Sequence, residues 1–257
     1  MSVVDYSDDD LKQLLTVSSL AEFLYLMFNL RLKQKIIKLT LCSISLRSFK
    51  DIMKVGGGGL INSITIAGTV AVVTAAVSKH GVEALAGYGL GSRLEIIITP
   101  LVFGIGSVLT ASVGINVGAQ QLPRAKMIAW TGAFISFCVV GLLGATVTIF
   151  PDVWLNNFES STLIRDYATS YLIIVAPFYC FFAAGQTLYF ASQGLGKIFY
   201  PVIVGIIRLL SVSIICYYVT FYDLSLNFVF YGVSFGLLAT GLGLWMCMLG
   251  PDWKKQI

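Results

Sequence analysis

The chain has 257 residues, 57% of them hydrophobic and 12% charged, about half the charged share of an ordinary soluble domain, and its mean hydropathy is +0.85. This composition excludes a soluble globular enzyme and describes an integral membrane protein. The net charge of +4 comes from basic residues in loops and an N-terminal arm, which indicates membrane orientation and argues against nucleic-acid binding.

Residues 1–10 are polar, include Asp8, Asp9 and Asp10, and read as a solvated tail. No short apolar stretch with a small-residue cleavage site opens the chain, so a removable signal peptide is not expected. Leu11 to Leu30 is moderately apolar but interrupted by Lys12 and Glu22. It reads either as an interfacial helix or as the remnant of a spanning one. Arg31, Lys33, Lys35, Lys38, Arg47, Lys50 and Lys54 then form a basic arm, which the positive-inside rule places in the cytoplasm and which also suits a helix lying on anionic headgroups.

Six apolar stretches follow, at about 52–78, 85–117, 127–150, 167–192, 198–221 and 225–249. Each approaches or exceeds the roughly 20 residues needed to cross hydrocarbon. The loops after the second, fourth and sixth stretches carry Arg124 with Lys126, Lys197, and Lys254 with Lys255; those after the third and fifth carry Asp152, Glu159 and Asp166 with Arg165, and Asp223. This alternation predicts a multi-pass protein of the plasma membrane, the inner membrane in a bacterium, with both ends of the six-helix block cytoplasmic. The chain thus divides into an N-terminal basic arm (1–50), a six-helix block (51–250) and a cytoplasmic tail (251–257).

Pro123, Pro151, Pro201 and Pro251 punctuate helix ends, whereas Pro100 and Pro177 fall inside spans and predict bends. Gly114 with Gly118, and Gly232 with Gly236, are GxxxG pairs that allow close helix approach. Gly56 to Gly59 together cost roughly 3–4 kcal/mol of helix propensity, so the first span is expected to start frayed or bent. The five cysteines are scattered singly and read as small packing residues.

No catalytic constellation is present: there is one histidine, His80, and neither HExxH nor GxSxG occurs. The glycines at 87, 89 and 91 lack dinucleotide-binding spacing and lie in an expected membrane helix. An enzyme is not expected, and no cofactor. What stands out is charge within spans: Arg93, Glu95 and Arg208. A charge at mid-bilayer costs at least ~2.5–3.5 kcal/mol and therefore faces a bundle interior or a cavity. Counting ~1.5 Å per residue puts Glu95 and Arg208 at similar depth, so Glu95 is expected to pair with Arg208. Arg93 is expected to face the cavity or an absent partner. Asn62, Thr65, Tyr171, Gln186 and Gln193 are weaker polar signals that serve either as interhelical glue or as ligand contacts.

Three stretches, GVEALAGYGLGSRLE at 81–95, VGINVGAQQLPRA at 113–125 and YLIIVAPFYCFFAAGQTLYFASQGLGKIFYPVIVGIIRLL at 171–210, resemble the C-terminal lobe of the MATE family, the multidrug and toxic compound extrusion transporters. The resemblance covers roughly 50–250. It implies an all-α polytopic membrane protein, a six-transmembrane-helix bundle corresponding to one lobe of a twelve-helix transporter whose two lobes enclose the substrate cavity. It further implies export of organic cations or amphipathic compounds by proton- or sodium-coupled antiport, with H+ or Na+ as coupling ion. Candidate cavity residues are Arg93, Glu95, Arg208, Asn62, Gln186 and Tyr88.

Family members with a cation site in this lobe carry carboxylates on the seventh and tenth helices; the corresponding positions here are Ile66 and about Phe182. A pump would therefore need a missing N-terminal lobe or a second copy of the chain. The expected partners are membrane lipid, small-molecule organic cations and that second lobe, with no nucleic acid. Two alternatives stand beside this reading: a lipid-linked oligosaccharide flippase of the same superfamily, and an inactive truncated membrane fragment.

Overall fold

The computed structural model describes residues 46–158 and 160–250, together with Val17, Leu20, Ala21, Tyr25 and Trp253. The solvated tail, most of the basic arm and the reading of Leu11 to Leu30 lie outside the described residues. Met1–Phe49 and Lys50–Ile257 form separate compact units, and apart from the first residues of α1 the elements below belong to the second.

The second unit is all-α, with no strand among the described residues. Its helices are α1 (Leu46–Ser78, entered from the first unit), α2 (Val82–Gly118), α3 (Leu122–Ile149), the short α4 (Pro151–Leu155), α5 (Thr162–Val175), α6 (Tyr179–Gly194), α7 (Phe199–Phe221) and α8 (Leu226–Leu249). Among the described residues six segments are long and apolar enough to cross a membrane, α5 and α6 counting as one run over Thr162–Gly194. Hydrocarbon length and apolar composition fix these elements, because a bilayer leaves the backbone no partner but itself.

Breaks occur where the backbone demands them. Gly81 takes φ +111° and Gly196 φ +73°, conformations that side-chain-bearing residues rarely adopt. Pro177 lies in a 3-10 turn, Ala176–Phe178, that splits the fourth span into α5 and α6. Pro100 is carried inside an unbroken α2. The expected fraying at Gly56 to Gly59 does not occur, since α1 runs through all four glycines. The reason is tertiary: a side chain at Gly58 would strike Ile198 and approach Val202 at 3.4 Å. In addition, the Tyr189 hydroxyl of α6 donates to the Gly58 carbonyl at 3.0 Å.

α6 is the centre of the bundle and packs on α2, α3 and α8, while α7 packs on α8 and α5 on α2 and α8. Small residues permit these approaches. A Cβ on Gly194 would lie 2.5 Å from the Thr110 carbonyl oxygen, and one on Gly241 2.5 Å from that of Phe181. Of the two GxxxG pairs, Gly232 and Gly236 both face α7 through Ile215 and Val212, whereas Gly114 meets α6 and Gly118 touches nothing within 4 Å. Buried hydroxyls join helices as well: Thr187 donates to Ser136 at 2.8 Å and Ser234 to the Ile174 carbonyl at 2.8 Å.

Candidate functional site

Among the described residues, Glu95 on α2 and Arg208 on α7 line one cavity of about 80 Å³ together with Tyr88, Tyr171, Tyr179 and Thr69. Apart from Thr99 the remaining wall is apolar, and includes Ile66 of α1 and Phe182 of α6.

Glu95 is held by hydroxyls. Tyr171 donates to Glu95 Oε1 at 2.5 Å and Tyr179 donates to the same oxygen at 3.2 Å. Two hydroxyl donors thus converge on one carboxylate oxygen. Oε2 takes no protein donor among the described residues, so it is the atom available to an ion in the cavity. The tyrosines are themselves fixed: the Tyr171 ring stands edge-on to Tyr88 at 5.3 Å and to Phe230 at 5.2 Å, and both Tyr171 and Tyr179 are fully buried. They sit two helical turns apart on either side of the Pro177 break, which is how one span presents both hydroxyls to a single carboxylate.

Arg208 is 4% exposed, and its Nε and Nη2 have no hydrogen-bond partner among the described residues. The expected ion pair with Glu95 is not made. The sole ion pair among the described residues joins Arg165 and Asp152 at 2.6 Å on the surface. The physical reason is competition: Glu95 Oε1 is already taken by Tyr171 and Tyr179, so its carboxylate is turned to them, and both charges line the cavity unpaired.

The other candidates fall elsewhere. Tyr88 lines the cavity. Arg93 does not; it is exposed, with its guanidinium 5.5 Å from the centre of the Phe158 ring. Phe158 follows α4, whose Trp154 donates its indole N–H to the Leu90 carbonyl at 3.0 Å. Leu90 and Arg93 thus meet α4 and the segment that follows it, away from the cavity. α2 has 37 residues, or ~55 Å of helix against ~30 Å of hydrocarbon, so a residue eleven positions from its start need not be deep. Asn62 is buried on α1 near Gly205 of α7, and Gln186 is buried within α6 with its Nε2 unpartnered. Neither lines the cavity. Tyr179 and Thr69 carry no charge and were not singled out, although the eight-residue spacing of Tyr171 and Tyr179 is a same-face signal.

No group of three or more His, Cys, Asp or Glu side chains with metal-binding geometry is found among the described residues.

The MatE family model matches residues 60–219. A stretch of 122 residues is 29% identical to the FAD transporter of Shewanella oneidensis, covering 46% of this chain and 27% of that protein. Another of 162 residues is 25% identical to the probable multidrug resistance protein NorM of Thermotoga maritima, covering 63% of this chain and 35% of that one. The backbone superposes on a MOP superfamily transporter from Pyrococcus furiosus with a TM-score of 0.79 at 20% identity, covering 90% of this chain and 54% of that structure. The chain spans about half the length of the transporter whose fold it shares.

Proposed function

Because this chain belongs to the MatE family, we propose that it is one lobe of a cation-coupled exporter, with Glu95 as its coupling carboxylate. The observation that carries this reading is the cavity itself. Glu95 shares it with Ile66 and Phe182, the two positions where the family resemblance leads one to look for carboxylates. An acid supplied from α2 takes their place.

Size decides what the cavity holds. About 80 Å³ accommodates an ion with a few waters, whereas drug-sized ligands occupy pockets of ~300–1,000 Å³. The exported compound, an organic cation or amphipathic molecule, therefore sits between this lobe and a second one, and the cavity serves the coupling ion, H+ or Na+. Glu95 Oε2 meets that ion, Tyr171 and Tyr179 hold the carboxylate in place, and Arg208 supplies a positive charge that favours the ion's departure. Alternating access needs two bodies that rock against each other, so activity requires a partner lobe or a second copy. The flippase alternative is less well supported, since Arg208 is the one basic residue at the cavity.

The test is accumulation of a fluorescent organic cation in pump-deficient cells, with membrane insertion verified. The chain is expressed alone, then together with the N-terminal lobe of a full-length family member. Reduced accumulation that is abolished by an uncoupler or by sodium removal, and by Glu95→Gln, is the expected outcome. Full export by Glu95→Gln would refute the role of Glu95, and no export under any pairing would refute the exporter reading.

A further inference from the structure

On the far side of α6 from the Glu95 cavity lies a groove of about 300 Å³ between α3, α6 and α8. Its lining is almost wholly apolar: Trp130, Phe134 and Phe137 from α3, Phe181 from α6, and Trp245 from α8 mark its length. Trp130 and Trp245 meet edge to face at 5.6 Å across one end. Phe181 closes the other end against Phe137 at 5.5 Å.

We propose that this groove binds one acyl chain of an anionic phospholipid, with Lys126 receiving the phosphate. Lys126, Trp130 and Phe134 follow one another at intervals of four residues, so they form a single stripe along α3. α3 has 28 residues, ~42 Å of helix, and exceeds the ~30 Å hydrocarbon layer by about 6 Å at each end. Lys126, four residues in, therefore falls at the hydrocarbon boundary, and Trp130 lies one turn deeper.

Charge and hydrogen-bonding capacity both point to a lipid and away from another apolar helix. Arg124 and Lys126 are the sole Asp, Glu, Lys or Arg residues on all three helices that line the groove. Lys126 is half-buried and, like Arg124, has no ion-pair partner among the described residues. Neither indole N–H of the tryptophan pair has a protein acceptor among the described residues. Tryptophan at this depth ordinarily finds one. A phospholipid supplies all three missing partners in the right order: phosphate at Lys126, ester oxygens at the indoles, and methylenes down the aromatic slot. A transmembrane helix of a second copy or of a partner lobe brings no phosphate to the lysine.

The purified full chain is reconstituted in phosphatidylcholine vesicles containing small fractions of lipid brominated on its acyl chains, either phosphatidylglycerol or phosphatidylcholine. Quenching of tryptophan fluorescence is the readout. Brominated phosphatidylglycerol is expected to reach half-quenching at about one-fifth the mole fraction of brominated phosphatidylcholine, as one basic residue at the membrane surface is worth ~1 kcal/mol toward an anionic lipid. Lys126→Ala should remove the preference, Lys126→Arg should keep it, and Ala184→Leu, which fills the slot, should weaken quenching by both lipids. Equal half-quenching fractions in the wild-type chain, or a preference unchanged by Lys126→Ala, would overturn the proposal. So would disulfide cross-linking between copies through Phe134→Cys accompanied by loss of quenching, which would assign the groove to a second copy.

Discussion

Replacing Tyr171 by Phe removes one hydroxyl and almost no volume, and the structure says what that hydroxyl does. It donates to Glu95 Oε1 at 2.5 Å, while the second donor, Tyr179, stands off at 3.2 Å. A hydrogen bond to a charged group contributes about 1.5–3 kcal/mol, and the short bond belongs toward the upper part of that range. Tyr171→Phe should therefore cost about 2 kcal/mol and Tyr179→Phe less than half of that. The measurement is a double-mutant cycle on unfolding free energy in mixed micelles, using Tyr171→Phe, Glu95→Ala and the pair. The coupling energy should be at least ~1.5 kcal/mol, since the only other hydrogen bond of this hydroxyl among the described residues is a long one accepted from Tyr179 at 3.5 Å. If Tyr171→Phe costs the same with and without Glu95, the tyrosine is merely filling space against Tyr88 and Phe230, and the account of how Glu95 is held fails.

Other expected outcomes follow from the same coordinates. In the Glu95→Gln background, Arg208→Met should stabilise the chain by about 1–3 kcal/mol, because it removes a buried guanidinium with two unpartnered N–H groups and no remaining counter-charge; a further loss of stability on thermal denaturation would contradict this. Gly194→Ala should destabilise by about 1–3 kcal/mol, since its Cβ would be driven to 2.5 Å from the Thr110 carbonyl. By contrast, Gly89→Ala, which meets nothing within 4 Å, should be neutral or gain up to ~1 kcal/mol of helix propensity; the two melts compared side by side check both statements. Asp152→Asn should cost less than ~1 kcal/mol and do so only at low salt, as its partner Arg165 also holds Asn156 Oδ1 and the carboxylate is 70% exposed.

The spans were legible because hydropathy and length suffice to mark them, and the bilayer then leaves helix as the one available structure. Glu95 and Arg208 were legible for a related reason: charge is rare there and costs enough to demand an explanation. Geometry was not legible. Arg93 lies in the same apolar stretch as Glu95, but a position in a span does not say which way a side chain points, and Arg93 is exposed beside Phe158. Similar depth and opposite charge favoured Glu95 with Arg208, and neutral donors won because Tyr171 and Tyr179 reach the carboxylate. The glycine run likewise looked unstable as local sequence and is held by a contact from α6, 131 residues away along the chain.

α6 serves two sides of the bundle at once. One side of the helix, at Tyr179 and Phe182, closes a polar cavity; the other, at Phe181 and Leu188, faces an aromatic groove. Burial of Tyr179, Gln186, Thr187 and Tyr189 along it shows that its polar groups are enclosed by this lobe alone. The exposed apolar residues of α1 and α2, such as Leu60, Ile64, Ile96, Val108 and Ile115, do not distinguish lipid from a missing lobe, because hydrocarbon tails satisfy both surfaces equally. Exposed polar side chains in mid-span do distinguish them, since lipid cannot pair with them. Ser63 and Ser107 are exposed, and each hydroxyl donates back to its own helix, to the Gly59 and Gly104 carbonyls. Each hydroxyl keeps acceptor lone pairs that hydrocarbon leaves unused and a donor on a partner lobe can fill. Crosslinking from Ser63→Cys and Ser107→Cys to a co-expressed N-terminal lobe should therefore succeed where Ile214→Cys, on the outer face of α7, fails; equal yields at all three positions would mean that α1 and α2 face lipid.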